Sequence, residues 1–136
     1  MEIEYSFNLS EGCEVDIVNA LERDVGFMLP DDYRQFLSNT NGVGLSGHTS
    51  SRFCTIEEIY SIRSLSWTYS KEFLAVGTCA DSTMHIALKG EGSKADNNIY
   101  VIDVMAERNF RCLNCSFIDF FNKFIMSYGS VFWDWV

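Results

Sequence analysis

The segment Leu29-Pro30-Asp31-Asp32-Tyr33-Arg34-Gln35-Phe36-Leu37-Ser38-Asn39-Thr40-Asn41-Gly42 decides how this chain is read. Pro30 suits a first helical position, where its missing N–H is no loss and its φ is already helical. Asp31 and Asp32 then fall in the first turn, at the positive end of the helix dipole. Tyr33, Phe36 and Leu37 recur at i, i+3 and i+4 and build one apolar face. Asn41 and Gly42 both tolerate the left-handed conformation of a helix cap, so the spacing predicts a short helix closed at Asn41-Gly42.

The segment belongs to a longer pattern, Glu22-x-x-x-Gly26-x-x-Leu29-Pro30-x-x-Tyr33-x-x-Phe36-Leu37-x-x-x-Asn41-Gly42. Further along come Ala75-Val76-Gly77 with Asp81, then Met84-His85-Ile86-Ala87-Leu88, then Asn98 to Asp103, and finally Ser116-Phe117-Ile118-Asp119-Phe120-Phe121. In order and spacing this resembles the SUKH superfamily, the Smi/Knr-type domains, from about Glu22 to about Phe124. One departure is Ser82-Thr83, where the family often places glycines after the central Asp. The resemblance implies structural roles for Glu22, Gly26, Leu29, Pro30, Tyr33, Phe36, Leu37, Asn41, Gly42, Gly77, Phe117 and Phe120. It also implies a protein-binding function: most such proteins are bacterial immunity proteins that neutralise polymorphic toxins, and some eukaryotic members are regulatory scaffolds.

Composition agrees with a folded domain. The chain has 136 residues, 47% of them hydrophobic, with 11 Phe, 6 Tyr and 3 Trp. That content excludes disorder as the default state, and the length suits one core, here a single domain over residues 1–136. The N-terminus Met1 to Gly12 has neither a basic region nor an apolar run, so no signal peptide is expected. No apolar stretch reaches the length of a membrane span. Five cysteines, an odd number, fit reduced thiols in a cytoplasmic protein. Residues 1–32 hold nine carboxylates against Arg23 alone, and so carry −8 of the net charge of −9. Such a surface repels nucleic acid and steers basic partners toward itself, although acidity also serves solubility.

The remaining elements follow from pattern. Ser10 is the expected cap of a first helix with Val18, Leu21 and Val25 as its buried stripe, Ile17 beside them and Gly26 as its end. Phe53 to Ile56 reads as a short strand, and Glu57-Glu58-Ile59 opens a short helix reaching Ile62 or Leu65. Phe73 to Val76, Met84 to Leu88 and Ile99 to Val104 read as strands, Lys89 to Asn98 as a loop, and Cys112 to Asn114 as an edge segment. The last helix is capped by Ser116, carries Phe117, Phe120, Phe121, Phe124 and Tyr128 as its stripe, and ends at Gly129. Two helices, strands, then a helix indicate an α+β fold. The expected sheet is mostly antiparallel or mixed, of about five or six strands, with helices packed against it.

Three constellations invite a chemical reading and fail on context. Gly42-Val43-Gly44-Leu45-Ser46-Gly47 is a literal G-x-G-x-x-G, but it follows a helix and precedes the loop-like His48 to Arg52. A dinucleotide site needs a strand before it and a helix after it, so a helix end and flexible turn are expected instead. Cys112-Leu113-Asn114-Cys115 is a lone C-x-x-C; Cys13, Cys54, Cys79, His48 and His85 lack ligand spacing to complete a zinc site. Its position before the Ser116 helix leaves room for a lowered Cys115 pKa. Cys79, Asp81 and His85 lie within seven positions, whereas a catalytic triad converges from distant segments. In a strand His85 and Ala87 share one face, and Met84, Ile86 and Leu88 the other.

The expected function is therefore a non-enzymatic immunity protein, with no catalytic residues, no cofactor and no metal. Its partner is a toxin domain of basic character, and neither nucleic acid nor membrane; the chain itself is a monomer or weak dimer. Candidate partner-binding residues are Asp31, Asp32, Glu57, Glu58, Trp67, Tyr69 and Asp81, with the terminal Trp133 and Trp135 as further interface or core aromatics. The alternatives are a regulatory scaffold of the same fold and a small thiol- or nucleotide-dependent enzyme.

Overall fold

A computed structural model describes residues 6–9, 11–46, 51–64, 72–79, 83–104 and 109–127. The elements are, in order, β1 (Ser6–Leu9), α1 (Val15–Val25), α2 (Asp31–Asn39), β2 (Val43–Ser46), β3 (Ser51–Phe53) and α3 (Ile56–Arg63). They continue as β4 (Phe73–Cys79), β5 (Met84–Glu91), β6 (Lys94–Ala95), β7 (Tyr100–Asp103), β8 (Asn109–Cys112) and α4 (Phe117–Met126). Among the described residues, seven strands form one antiparallel sheet in the order β1-β2-β3-β4-β5-β7-β8, and β6 folds back on the end of β5. This is the expected α+β arrangement, with a wider sheet. The extra width comes from β1 and β2, paired from Ser6↔Ser46 to Leu9↔Val43, where apolar alternation is too short to announce a strand.

The decisive helix α2 forms, but its ends are shifted from expectation. Pro30 is the N-cap and not the first helical residue: its ψ is 146°, and its carbonyl accepts the first helical bond from Arg34 N at 2.9 Å. The helix closes at Thr40, whose N–H donates to Phe36 O, and not at Asn41-Gly42. Asn41 serves another helix, because its Oδ1 accepts from Ile56 N at 2.9 Å at the start of α3. Gly42 then turns the chain into β2 with a φ of +95°, which an L side chain would strain. A Cβ there would also lie 2.8 Å from Phe53 O. The G-x-G-x-x-G is thus a turn residue followed directly by strand β2, and not the expected flexible turn. Gly47 and His48 lie outside the described residues.

The other boundaries move for local reasons. α1 begins after Glu14, with no side-chain cap; Ser10 lies outside the described residues. Gly26 closes α1 as expected, donating its N–H to Glu22 O. β3 ends at Phe53, and Ile56 starts α3 instead of finishing a strand, because Thr55 and Glu58 form a full capping box. The segment Lys89 to Asn98 is not all loop. β5 runs on to Glu91, and Gly92-Ser93 makes a two-residue hairpin to β6 with Glu91↔Lys94 paired. The edge strand is Asn109–Cys112 and not Cys112 to Asn114, since Asn114 turns with a φ of +53°. The strand expected over Ile99 to Val104 forms at Tyr100–Asp103, and Ser116 caps α4, accepting from Asp119 N at 3.3 Å. Tyr128 and Gly129 lie outside the described residues.

The four described helices cover one face of the sheet. One core joins Val18 and Leu21 of α1, Tyr33 and Leu37 of α2, Ile56 and Ile59 of α3 and Phe117, Phe120 and Phe124 of α4 to the sheet. The sheet contributes Phe53, Leu74, Val76, Ile86, Leu88 and Val101. Phe53 is its centre: its ring lies 5.4 Å from Phe117, 5.2 Å from Phe124 and 5.7 Å from Phe36. Edge-on aromatic contacts at such distances add specificity to the area they bury. Gly77 permits β3 to approach β4 where the register shifts between Ala75 and Gly77; a Cβ there would lie 2.9 Å from Arg52 O. The opposite face carries a smaller cluster of Phe73, Ala87, Tyr100 and Ile102. The alternation expected for Met84 to Leu88 is therefore present, with Ala87 on that face and Ile86 and Leu88 in the main core.

Candidate partner-binding surface

Every described helix opens with acidic residues in its first turn: Asp16 in α1, Asp31 and Asp32 in α2, Glu57 and Glu58 in α3, Asp119 in α4. Carboxylates there meet the positive ends of helix dipoles, so part of the acidic bias serves the helices themselves. The fold sorts these residues into two places.

The first place gathers around the end of α2. Cys13 N donates to Leu37 O at 2.7 Å, Asn41 N donates to Glu11 O at 2.8 Å, and Asn41 caps α3. The exposed Glu11, Glu14 and Asp16 thus share an end of the molecule with Glu57. Glu57 acts on Cys13, whose thiol is pushed up by burial first and by this carboxylate second. Glu58 is already engaged: its Oε1 accepts from Thr55 N at 2.9 Å and its Oε2 pairs with Arg52 Nε at 2.8 Å.

The second place lies at the other end of α2. The nine-residue helix separates the two by roughly 13 Å. Asp32 Oδ1 accepts from Tyr33 N at 2.8 Å, and its Oδ2 accepts from Ile118 N at 3.1 Å. One carboxylate therefore ties the starts of α2 and α4 together. Beside this tie runs a cleft of about 540 Å³ lined by Asp32, Gln35, Phe36, Asn39, Thr40, Val43, Ile118 and Phe121. Phe36 and Phe121, both in its lining, pack edge to face with ring centroids 5.2 Å apart. Asp31, next to Asp32 in the chain, is exposed.

Of the candidate residues, Asp31 and Asp32 come together, and Glu57 and Glu58 lie at the opposite end. Trp67, Tyr69 and Asp81 lie outside the described residues, as do Trp133 and Trp135. Sequence pattern does not reveal Ile118, Gln35 and Val43 as part of a surface. A signal exists for Ile118 alone, an apolar residue beside the phenylalanine stripe and 46% exposed. Nor does pattern reveal the work done by Glu22, whose carboxylate accepts from Leu29 N at 2.7 Å and from Arg34 Nη1, joining α1 to α2.

Burial shifts several of the remaining titratable groups. Burial pushes the Cys54 and Cys79 thiols up to about 12. Cys115, whose place before a helix leaves room for a lowered value, is instead raised: burial, with Asp119 and Cys112, outweighs the opposing Lys123. Burial and the neighbouring Cys54 and Cys13 hold the Tyr33 hydroxyl well above the tyrosine range. His85 is half-buried, and burial lowers its pKa. Among the described residues no three His, Cys, Asp or Glu side chains come together to hold a metal ion. Among them, too, no helix is long and apolar enough to cross a membrane.

Among curated proteins none matches the chain. A family model does. Its positions cover the first two helices with their Glu22 tie, most of the sheet and most of α4. Over residues 12–123 the sequence matches the SMI1 / KNR4 family (SUKH-1), and the chain belongs to that family.

Proposed function

We propose that this chain is a non-enzymatic immunity protein that binds a cognate polymorphic toxin domain in the bacterial cytoplasm and neutralises it. The observation that carries the reading is membership of the SMI1 / KNR4 family across most of the chain. Two features support it. The raised pKa values of Cys54, Cys79 and Cys115 make those three thiols poor nucleophiles at neutral pH, since the thiolate is the reactive form. The exposed carboxylates at both ends of α2 suit a basic partner, a nuclease being the toxin class whose substrate demands such charge.

The test is co-expression in bacteria with the toxin domain encoded next to this gene. Growth arrest by the toxin alone, relieved by this protein through a stable 1:1 complex, is the expected result. Association that slows as salt rises is expected if the partner is basic. Arrest that persists at equal expression, with no complex on gel filtration, would remove the immunity reading. A tight complex with an acidic toxin domain would remove only the nuclease part.

A further inference from the structure

We infer that the cleft between α2 and α4 is the docking seat for the partner, and that it takes one apolar side chain carried on a basic segment of that partner. This rests on the protein-binding reading above and assigns it a surface.

Three observations converge on the cleft. Half of its lining is apolar, Phe36, Val43, Ile118 and Phe121, beside the polar Asp32, Gln35, Asn39 and Thr40, and its volume of about 540 Å³ falls in the usual range of binding sites. Ile118 is 46% exposed, although it opens a helix whose neighbouring Phe117 and Phe120 are core. An apolar side chain left in water beside a preformed hollow is what a partner's anchor residue would cover. The hollow is also held in shape. Asp32 bridges to Ile118 N, so α2 and α4 cannot part at this end without losing that bond. A fixed seat lowers the ordering cost of binding.

Charge selects the occupant. Among the described residues, the cleft is lined by Asp32 with no cationic side chain, and Asp31 and Asp119 add exposed carboxylates at the same two helix starts. Lys123 stands one turn further along α4, outside the lining. A second hollow, near Gly26 and Met28, is lined by both Glu22 and Arg23, with Arg34 bound to Glu22 and Asn19; its charges are already balanced. At α3, Glu58 is consumed by its capping box and Arg52. Of these three places, the α2–α4 cleft is the one that joins apolar lining to exposed carboxylates, those of Asp31 and Asp119 at the two helix starts. A leucine or phenylalanine flanked by Lys or Arg satisfies both.

The probe is a synthetic helical peptide with two Leu one turn apart, flanked by Lys, and a twin with Glu in place of Lys. Binding is followed through the backbone amide resonances of this protein. The Lys peptide is expected to shift Asp31 to Phe36 and Ile118 to Phe121, and Ile118→Lys is expected to weaken it about tenfold. The Glu twin should leave the cleft unmoved. Ile118 is exposed, so the variant is expected to fold, which circular dichroism and its melting temperature check; Asp31→Lys supplies a second, independent variant. No shift at the cleft, equal shifts by both peptides, or undiminished binding by both variants would overturn the assignment. In the toxin assay, Ile118→Lys should lose protection while Glu14→Lys, at the other acidic end, keeps it. Protection by wild type and by Ile118→Lys alike would sink the cleft and leave the immunity reading standing. A wild-type protein that fails to protect would sink the immunity reading, and the peptide shifts would still decide the cleft.

Discussion

Two helices of this protein begin with a pair of adjacent carboxylates, Asp31-Asp32 in α2 and Glu57-Glu58 in α3. In sequence the pairs look interchangeable, since each sits in a first turn where the helix dipole favours it. The fold gives them different work. Glu58 turns inward on its own helix, closing the box with Thr55 and pairing with Arg52. Asp32 reaches across to Ile118 on the last helix and fixes one edge of an apolar cleft. Asp31 and Glu57, the outer members, remain exposed. What sits opposite a carboxylate therefore decides whether it holds a helix, holds two helices, or stays exposed.

The largest consequence is expected at Asp32. Asp32→Ala removes the acceptor for Tyr33 N and Ile118 N and should destabilise the protein by about 2 kcal/mol. Urea unfolding checks this, and a loss under about 0.5 kcal/mol would show that the tie carries no weight. Thr55→Ala opens the α3 box and is expected to cost about 1 kcal/mol. If α3 instead loses as much as α2, measured on the same urea scale, the two pairs are more alike than their contacts suggest.

Asp31→Ala should change stability by less than about 0.5 kcal/mol, because the side chain is exposed. Its effect is expected in the rate of association with a basic partner, read by stopped flow at low salt and fading as salt rises. The slightest effect concerns Glu57. Its charge contributes, after burial, to the raised Cys13 thiol. Glu57→Gln should lower that pKa and increase the thiolate fraction at pH 8, so iodoacetamide should modify Cys13 faster while urea stability stays unchanged. A rate that does not rise would mean burial alone sets the thiol.

Several elements are legible from their own residues. The α4 helix is readable because its signals are local: Ser116 at the cap, then Phe117, Phe120 and Phe124 on one stripe. The alternation in β5 is readable too, for Ile86 and Leu88 face the helices while Ala87 faces away. The hairpin at Gly92-Ser93 carries a short turn signal that the surrounding polar residues conceal. β1 and β2 carry almost none, because the stretch from Val43 is broken by Gly44, and it becomes a strand only through its pairing with β1 and β3.

The candidate surface is less legible than the fold. Asp31 and Asp32 are visible as a pair, but the apolar floor beside them comes from Val43 and from Ile118 and Phe121, far along the chain. Asn41 shows the same limit on a shorter scale. Its type is right for a cap, yet the helix it caps begins at Ile56, fifteen positions on.

Residue type and short spacing are enough to establish the family, the α+β class, the apolar stripes and the acidic bias. They do not say which carboxylate is spent on Thr55 and Arg52, which one bridges α2 to α4, and which stay exposed; the folded arrangement settles those points. The physical reason is reach. Helix periods and dipoles act within a few residues of chain, whereas Asp32 and Ile118 are 86 positions apart and meet only when the helices pack together on one face of the sheet.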